Sequence, residues 1–258
     1  MTDILALRNQ PVLERYALTN LLVAFDYDGT LAPIVSTPDR AHMRPITRRL
    51  LRRVAARYPC VVISGRSRDD VVHRLRDIPI VHVSGNHGLE PWAEEPRYIR
   101  QVQRWVQQLS PQLAAHRGIV IENKTYSISI HYRAARDKLQ ALRAIDCATR
   151  TLRGVRRLGG RLVVNLLPQG APTKGTALER ARRLLVCDAA LYVGDDETDE
   201  EAFGEIDSSR LLSIRVGATP GSRAKYCLKH QGEIDRFLRR LAALRSDTVR
   251  RGDGSSPK

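Results

Sequence analysis

The sequence predicts an α/β protein, a parallel-sheet core interrupted once by a small α+β insertion. Three observations carry this prediction. Short apolar runs recur at 21–25, 60–63, 80–83, 189–193 and 211–216, each the length of a strand buried on both faces of a parallel sheet. Apolar residues at helical spacing lie between most of these runs. Between residues 92 and 168 that alternation gives way to period-two patterning and a glycine-centred hairpin.

Residues 1–19 read as a short helical lead-in. The run Leu21-Leu22-Val23-Ala24-Phe25 then leads straight into Asp26-Tyr27-Asp28-Gly29-Thr30. Ligands of open α/β sheets bind beyond the carboxyl ends of the strands, so Asp26 and Asp28 stand where chemistry is expected. Two acids this close need a cation or a shared proton, and a hard divalent ion such as Mg²⁺ suits them. Taken alone, Asp28-Gly29 also fits a hairpin turn. After a loop with Pro38 and Pro45, residues Ile46, Leu50, Leu51 and Val54 mark a helix ended by Pro59. The strand at 60–63 closes in Ser64-Gly65-Arg66. There a hydroxyl and backbone N–H groups can meet a phosphate, although in isolation a plain turn with Ser64 as helix cap is the better fit. Val71, Val72 and Leu75 mark the next helix, and the strand at 80–83 ends in Ser84-Gly85-Asn86-His87-Gly88-Leu89-Glu90. Asn86, His87 and Glu90 cluster between glycines, which favours a binding loop.

The insertion opens with a helix on Ile99, Val102, Val106 and Leu109, broken or kinked near Pro111. Residues 118–122 read as a strand. From 125 to 132, Tyr126, Ile128 and Ile130 alternate with Ser127, Ser129 and His131, the pattern of a half-exposed antiparallel strand. A helix on Leu139, Leu142 and Ile145 follows, then a hairpin around Gly159-Gly160. Past Pro168 the core pattern resumes. Lys174 sits in the first turn of a helix, the wrong end for a cation, so it needs a phosphate or the acids as partner, unless it is simply solvated. The run 189–193 ends in Gly194-Asp195-Asp196-Glu197-Thr198-Asp199-Glu200-Glu201, a second acid cluster at a strand end. Placed beside the first, it converges on one metal. A solvated helix start explains Glu200 and Glu201 but not acids directly after an apolar strand. The last helix spans 234–244, and the polar residues 246–258 are expected to be a disordered tail.

Composition narrows the class. The chain has 258 residues, 42% of them hydrophobic, enough for one large core with an insertion. Its net charge is +15, and 37 of the 43 basic residues are arginine. Such a balance fits nucleic-acid binding or attraction of anionic substrates. Yet the arginines fall in pairs on helix-like stretches (Arg48-Arg49, Arg182-Arg183), as solvated faces do, and no basic stripe is interleaved with aromatics. A nucleic-acid partner is therefore not expected. Cys60, Cys147, Cys187 and Cys227 are scattered without a C-x-x-C pair, which disfavours a disulfide or zinc framework and fits a reducing compartment. Without a secretory pattern or a membrane-length apolar run, the expectation is a cytoplasmic protein with no membrane partner.

The motifs carry a resemblance. DYDGT (26–30) resembles the nucleophile motif of the haloacid-dehalogenase-like phosphatases, and Ser64, Lys174 and GDDETD (194–199) resemble that superfamily's second, third and fourth motifs in order. DYDGTLAPI (26–34), ISGR (63–66), GNHGLE (85–90), ENKTYSISIHYR (122–133) and GDDETDEEAF (194–203) together resemble trehalose-6-phosphate phosphatases. The resemblance implies a haloacid-dehalogenase-like (HAD-like) Rossmannoid core at 1–91 and 169–245 and a C2-type cap at 92–168. It also implies a stand-alone phosphatase without the glucosyltransferase domain of some members. Asp26 would attack phosphorus to form an aspartyl-phosphate, and Asp28 would protonate the leaving sugar oxygen and then deprotonate water. Mg²⁺ would be held by Asp26, the Asp28 carbonyl and Asp195, with Asp196 or Asp199 supporting. Ser64 and Lys174 would bind the phosphoryl oxygens. Arg66, Asn86, His87, Glu90, Glu122, Lys124, His131 and Arg133 are the expected sugar-phosphate contacts. Sucrose phosphate or a glycosyl-phosphoglycerate is the alternative substrate, since the catalytic acids do not select the sugar.

Overall fold

A computed structural model describes residues 1–35, 38–92, 95–160 and 162–252 of the chain. The first half of the core contributes strands β1 (Thr2–Asp3), β2 (Leu21–Phe25), β3 (Cys60–Ile63) and β4 (His82–Ser84). Helices α1 (Gln10–Ala17), α2 (Pro45–Ala55) and α3 (Arg68–Leu75) connect them. The insertion follows with α4 (Pro96–Leu113), β5 (Val120–Asn123), β6 (Ile128–His131), α5 (Lys138–Thr149), β7 (Val155–Gly160) and β8 (Val163–Pro168). The chain returns to the core through α6 (Lys174–Leu184), β9 (Ala189–Gly194), α7 (Asp199–Glu205), β10 (Leu211–Val216), β11 (Tyr226–Leu228) and α8 (Ile234–Gly252).

The core strands form one parallel sheet in the order β1-β11-β10-β9-β2-β3-β4. Its central strands β2, β3 and β9 are apolar throughout because both faces are covered. Along β2, Leu21, Val23 and Phe25 join one apolar cluster while Leu22 and Ala24 join the cluster on the opposite face. From β2 the chain builds outward through β3 and β4 on one side, and later through β9, β10 and β11 on the other. The crevice beyond the ends of β2 and β9 is therefore the switch point where open α/β sheets bind ligands. Register brings Phe25 beside Val193, so the residues that follow each strand are neighbours.

The insertion is a separate antiparallel sheet in the order β5-β6-β8-β7. Helices α4 and α5 cover one face, where Val102, Trp105, Leu109 and Ile145 pack on Ile128, Ile130, Val164 and Leu166. The other face turns to the core. Here the structure corrects the reading of β6 as half-exposed: Ser127 and Ser129 are buried, because their face meets the core rather than water.

Other expectations also shift. Thr2 and Asp3, read as part of a helical lead-in, pair with Tyr226 and Cys227 as an edge strand too short to leave a periodic signal. Helix α4 runs through Pro111 without a break; the proline forgoes its own N–H bond, and the helix ends two residues later at Leu113. Leu139 is exposed, and Ala141, Ile145 and Ala148 form the buried face of α5. Helix α8 continues to Gly252, inside the stretch 246–258 expected as a tail, and 253–258 lie outside the described residues. No helix among the described residues is long and apolar enough to cross a membrane.

Candidate active site

The acids converge as the strand order requires. Asp26 continues β2, and its backbone N–H donates to Val193 O of β9 at 2.9 Å. One carboxylate oxygen from each of Asp26, Asp195 and Asp199 lies within 4.8 Å of the others. Lys174 is the cation among them, with Nζ 3.1 Å from Asp26 Oδ1 and 2.7 Å from Asp199 Oδ1. Thr173 caps helix α6 with a capping box, and that fixes the turn that aims Lys174 inward. The partner expected for a cation at this helix end is thus the acid pair.

Charge is unbalanced here, with three carboxylates around one ammonium. Burial pushes the Asp26 carboxyl up to about 8 against the pull of Lys174, with Asp199 and Asp28 adding to the rise. Burial and the neighbouring Asp26, Asp199 and Asp196 likewise hold Asp195 well above the usual carboxylate range. Burial disfavours the Lys174 ammonium, but Asp199 and Asp26 outweigh it and keep Lys174 charged.

Asp199 is already saturated. Its Oδ1 accepts from Lys174 Nζ and from the Tyr192 hydroxyl, both at 2.7 Å, and its Oδ2 accepts the backbone N–H groups of Asp195 (2.8 Å) and Asp196 (2.9 Å). Burial and Asp199 push the Tyr192 hydroxyl far up, so it remains a donor. With every lone pair used, Asp199 shapes the acid loop, while Asp26 and Asp195 keep oxygen free for a cation. Asp195 leans on Gly29, whose φ is +79°; a Cβ there would stand 2.0 Å from Asp195 Oδ2. Thr30 Oγ1 donates to Asp195 Oδ1 at 3.2 Å. A dense, underpaired set of carboxylate oxygens in a glycine-cleared cradle fits a hard divalent ion.

The other expected residues divide into two groups. Ser64 directly follows β3, and the cap of α3 is Ser67, so Ser64 is not needed as a helix cap. Its Oγ accepts the Arg66 N–H at 3.2 Å. Asp28 is gripped by Arg66 in a two-pronged pair at 2.6 and 2.8 Å, and the third arm of Arg66 reaches Asp70 Oδ2 at 2.7 Å. From the insertion, His131 Nε2 lies 2.8 Å from Glu122 Oε2, and Lys124 Nζ donates to Gly65 O at 3.0 Å. Burial pushes the Lys124 ammonium down, with nearby Glu122 opposing. For Glu122, burial acts upward, but His131 and Lys124 outweigh it and lower its carboxyl. Arg133 Nη1 donates to Val35 O at 2.6 Å. His87 is buried, its Nδ1 without a partner among the described residues, and burial, Lys174 and Lys124 push its imidazole far down, so it stays neutral. All of these, with Asp196, line one cleft of about 550 Å³ between the insertion and the core.

Asn86 and Glu90 do not line it. Asn86 Nδ2 donates to Lys124 O at 3.1 Å, and its Oδ1 accepts from Ser127 Oγ at 2.5 Å, so it joins the two sheets. Glu90 Oε2 accepts the Arg68 N–H at 2.6 Å. Both side chains are spent on protein groups. Conversely, Asp70, Ser129 and Asn165 line the cleft and were not among the expected residues. Asp70 had a signal, since it stands four residues from Arg74 on the same helix and four from Arg66 just before it, and it bonds to both. Ser129 and Asn165, joined at 2.7 Å across β6 and β8, had none, because polar residues on a strand read as solvated.

Comparison with known proteins agrees with this geometry. The trehalose-phosphatase family matches residues 24–230. The chain is 28% identical to trehalose 6-phosphate phosphatase RA3 of Zea mays, over 90% of this chain and 73% of that protein. It is 31% identical to a trehalose-phosphate phosphatase of Mycobacterium tuberculosis, over 85% of this chain and 61% of that protein. In fold it is similar to the C-terminal domain of the Candida albicans trehalose-6-phosphate phosphatase, with a TM-score of 0.76 and 21% identity over 95% of this chain and 99% of that one. The acids at the switch point, the insertion above them and a match over most of the chain place it in one group: the chain belongs to the trehalose-phosphatase family.

Proposed function

We propose that this protein hydrolyses trehalose 6-phosphate to trehalose and phosphate. The observation that carries the reading is Asp26, set at the carboxyl end of β2 against Lys174 and Asp195 and opening into a cleft walled by the insertion. Asp26 is the nucleophile. Attack by its carboxylate on phosphorus breaks the bond to the sugar oxygen and leaves an aspartyl-phosphate, which water then cleaves. Asp28 leaves Arg66, takes up a proton from solvent, gives it to the leaving sugar oxygen, and later takes one from the attacking water. Ser64 and Lys174 hold phosphoryl oxygens as charge moves onto them. Asp26, Asp195 and the Asp28 carbonyl would hold Mg²⁺, which when bound offsets phosphoryl charge and lets the acids stand together. Asp196 remains at the cleft wall, and Asp199 fixes the loop that presents Asp195.

Residues 1–91 and 169–245 act as the core in this reading, and 92–168 act as the cap. A disaccharide offers many hydroxyls, and the cap face offers matched donors and acceptors: Glu122 and Lys124 for the distal glucose, with His131 and Arg133 supporting. The substrate comes from a cytoplasmic pool of sugar phosphate in this reading. The test is phosphate release with Mg²⁺ from trehalose 6-phosphate, sucrose 6-phosphate, glucose 6-phosphate and a glucosyl-phosphoglycerate. The highest kcat/KM is expected for trehalose 6-phosphate, and a preference for sucrose 6-phosphate would discard the assignment.

A further inference from the structure

One ion pair across the joint between insertion and core is only half made. Arg156 stands on β7 of the insertion. Its Nη2 donates to Pro172 O at 2.9 Å, two residues before Lys174, and its Nη1 lies 3.5 Å from Glu201 Oε1, two residues after Asp199. Arg156 Nε and Glu201 Oε2 are both buried and, among the described residues, both without a hydrogen-bond partner. Buried polar atoms are normally satisfied, so two orphans on the two members of one pair call for an explanation. A guanidinium and a carboxylate satisfy each other best as a two-pronged fork, and here only one long contact is formed.

The same hairpin rests on the acid segment at two more points. A Cβ at Gly159 would lie 2.4 Å from Glu197 Oε2, and one at Gly160 would lie 3.3 Å from Asp196 Oδ2. Residues 156–160 therefore bear on 196–201, the segment that presents Asp195 and Asp199.

We propose that Arg156 and Glu201 are a closure clasp, in which the half-made pair tightens into a fork when sugar phosphate draws the insertion onto the core. Arg156 is a positioning residue in this scheme. It touches no reacting atom but sets how closely the hairpin seats on the acid segment. The pair joins two bodies rather than stabilising either, and both groups return to water when the cleft opens, so the clasp is reversible. The proposal rests on reading the cleft as a sugar-phosphate site.

The test uses Arg156→Lys and Glu201→Asp, which keep the charge but lose the fork or the reach, and the double variant. For trehalose 6-phosphate, KM should rise roughly three- to tenfold in each single variant, with no further rise in the double, as expected of a coupled part-buried pair. Hydrolysis of p-nitrophenyl phosphate, which does not span the cleft, should stay within about twofold. Additive single effects, or equal losses on both substrates, would overturn the clasp. Hydrogen exchange of the free protein separates this from the substrate assignment. Amides of 155–160 and 197–203 should exchange about threefold faster in Arg156→Lys. Unchanged exchange overturns the clasp whichever sugar phosphate proves to be the substrate.

Discussion

The two sheets hold their polar groups in opposite ways. Strands β2 and β9 are buried along their whole length, and their acids hang from the ends. Strand β5 is half or fully exposed throughout, and Glu122 sits along it rather than at its end. Asp26 and Asp195 are crowded and underpaired, held against their own repulsion by the backbone of two buried strands. The charged groups of the insertion are paired with one another and with core carbonyls. The difference teaches that a reacting group is best held at the end of a buried strand, whereas groups that select a substrate can stand along an exposed one.

Asp26→Asn breaks the core side of that comparison hardest. The amide keeps the shape but cannot attack phosphorus, and Lys174 retains Asp199 as its partner, so the fold should survive. Activity on every phosphate ester should fall by roughly 10³ to 10⁶, the range seen when a nucleophile is removed. Comparable activity in a well-folded Asn protein would rule out the covalent route.

Metal removal comes next. Chelation with EDTA should abolish activity on sugar phosphates and on p-nitrophenyl phosphate alike, and Mg²⁺ should restore both. Titration calorimetry should show Mg²⁺ binding to the native protein and its loss in Asp195→Asn, whose carboxylate has oxygen to spare. Full turnover in metal-free protein would sink the metal role.

Lys174→Met asks how far the core depends on the buried ammonium between Asp26 and Asp199. The change leaves Asp26 and Asp199 buried without their cation, and breaking such a pair costs about 3–5 kcal/mol of stability. Denaturant unfolding should show that loss, and saturating Mg²⁺ should return part of it. An unchanged unfolding midpoint would mean that the acids are already neutral or otherwise paired.

The same contrast explains what could be read from the sequence. Leu21–Phe25 and Ala189–Gly194 announced themselves, because an apolar run ending in acids has few other meanings. The parallel sheet and the convergence of Asp26 and Asp195 followed from it, whereas the place of Lys174 stayed open between a phosphate, the acids and solvent until the fold set it against Asp26 and Asp199. Edge strand β1 was invisible because two residues carry no period. Asn86 and Glu90 sat in a motif that looked like a binding loop, and only the fold shows that their side chains are spent on Lys124 O, Ser127 Oγ and the Arg68 N–H. Ser129 and Asn165 were missed for the converse reason, since burial against a second body cannot be read from a strand's own alternation. Local pattern reports a residue's own element well and its neighbours across a joint poorly.

Glu122→Ala and Lys124→Ala test the insertion side, with the smallest expected effects. Lys124 spans both bodies: its Nζ lies on Gly65 O of the core, 3.7 Å from Glu122, and its own carbonyl is held by Asn86. If these two side chains read the distal sugar, each loss removes a charge-assisted hydrogen bond to trehalose 6-phosphate, worth about 1.5–3 kcal/mol, or roughly a ten- to hundredfold drop in kcat/KM. The phosphate end is untouched, so p-nitrophenyl phosphate should be hydrolysed at nearly the native rate. Lys124→Ala also removes the contact to Gly65, which neighbours Ser64 and Arg66, and a slight loss on the small ester is expected from that source alone. Glu122→Ala has no such core contact and gives the cleaner split. If Glu122→Ala slows both substrates equally, the carboxylate serves only to hold His131 and Lys124, and sugar choice must then lie with other cleft residues such as Ser129 and Asn165.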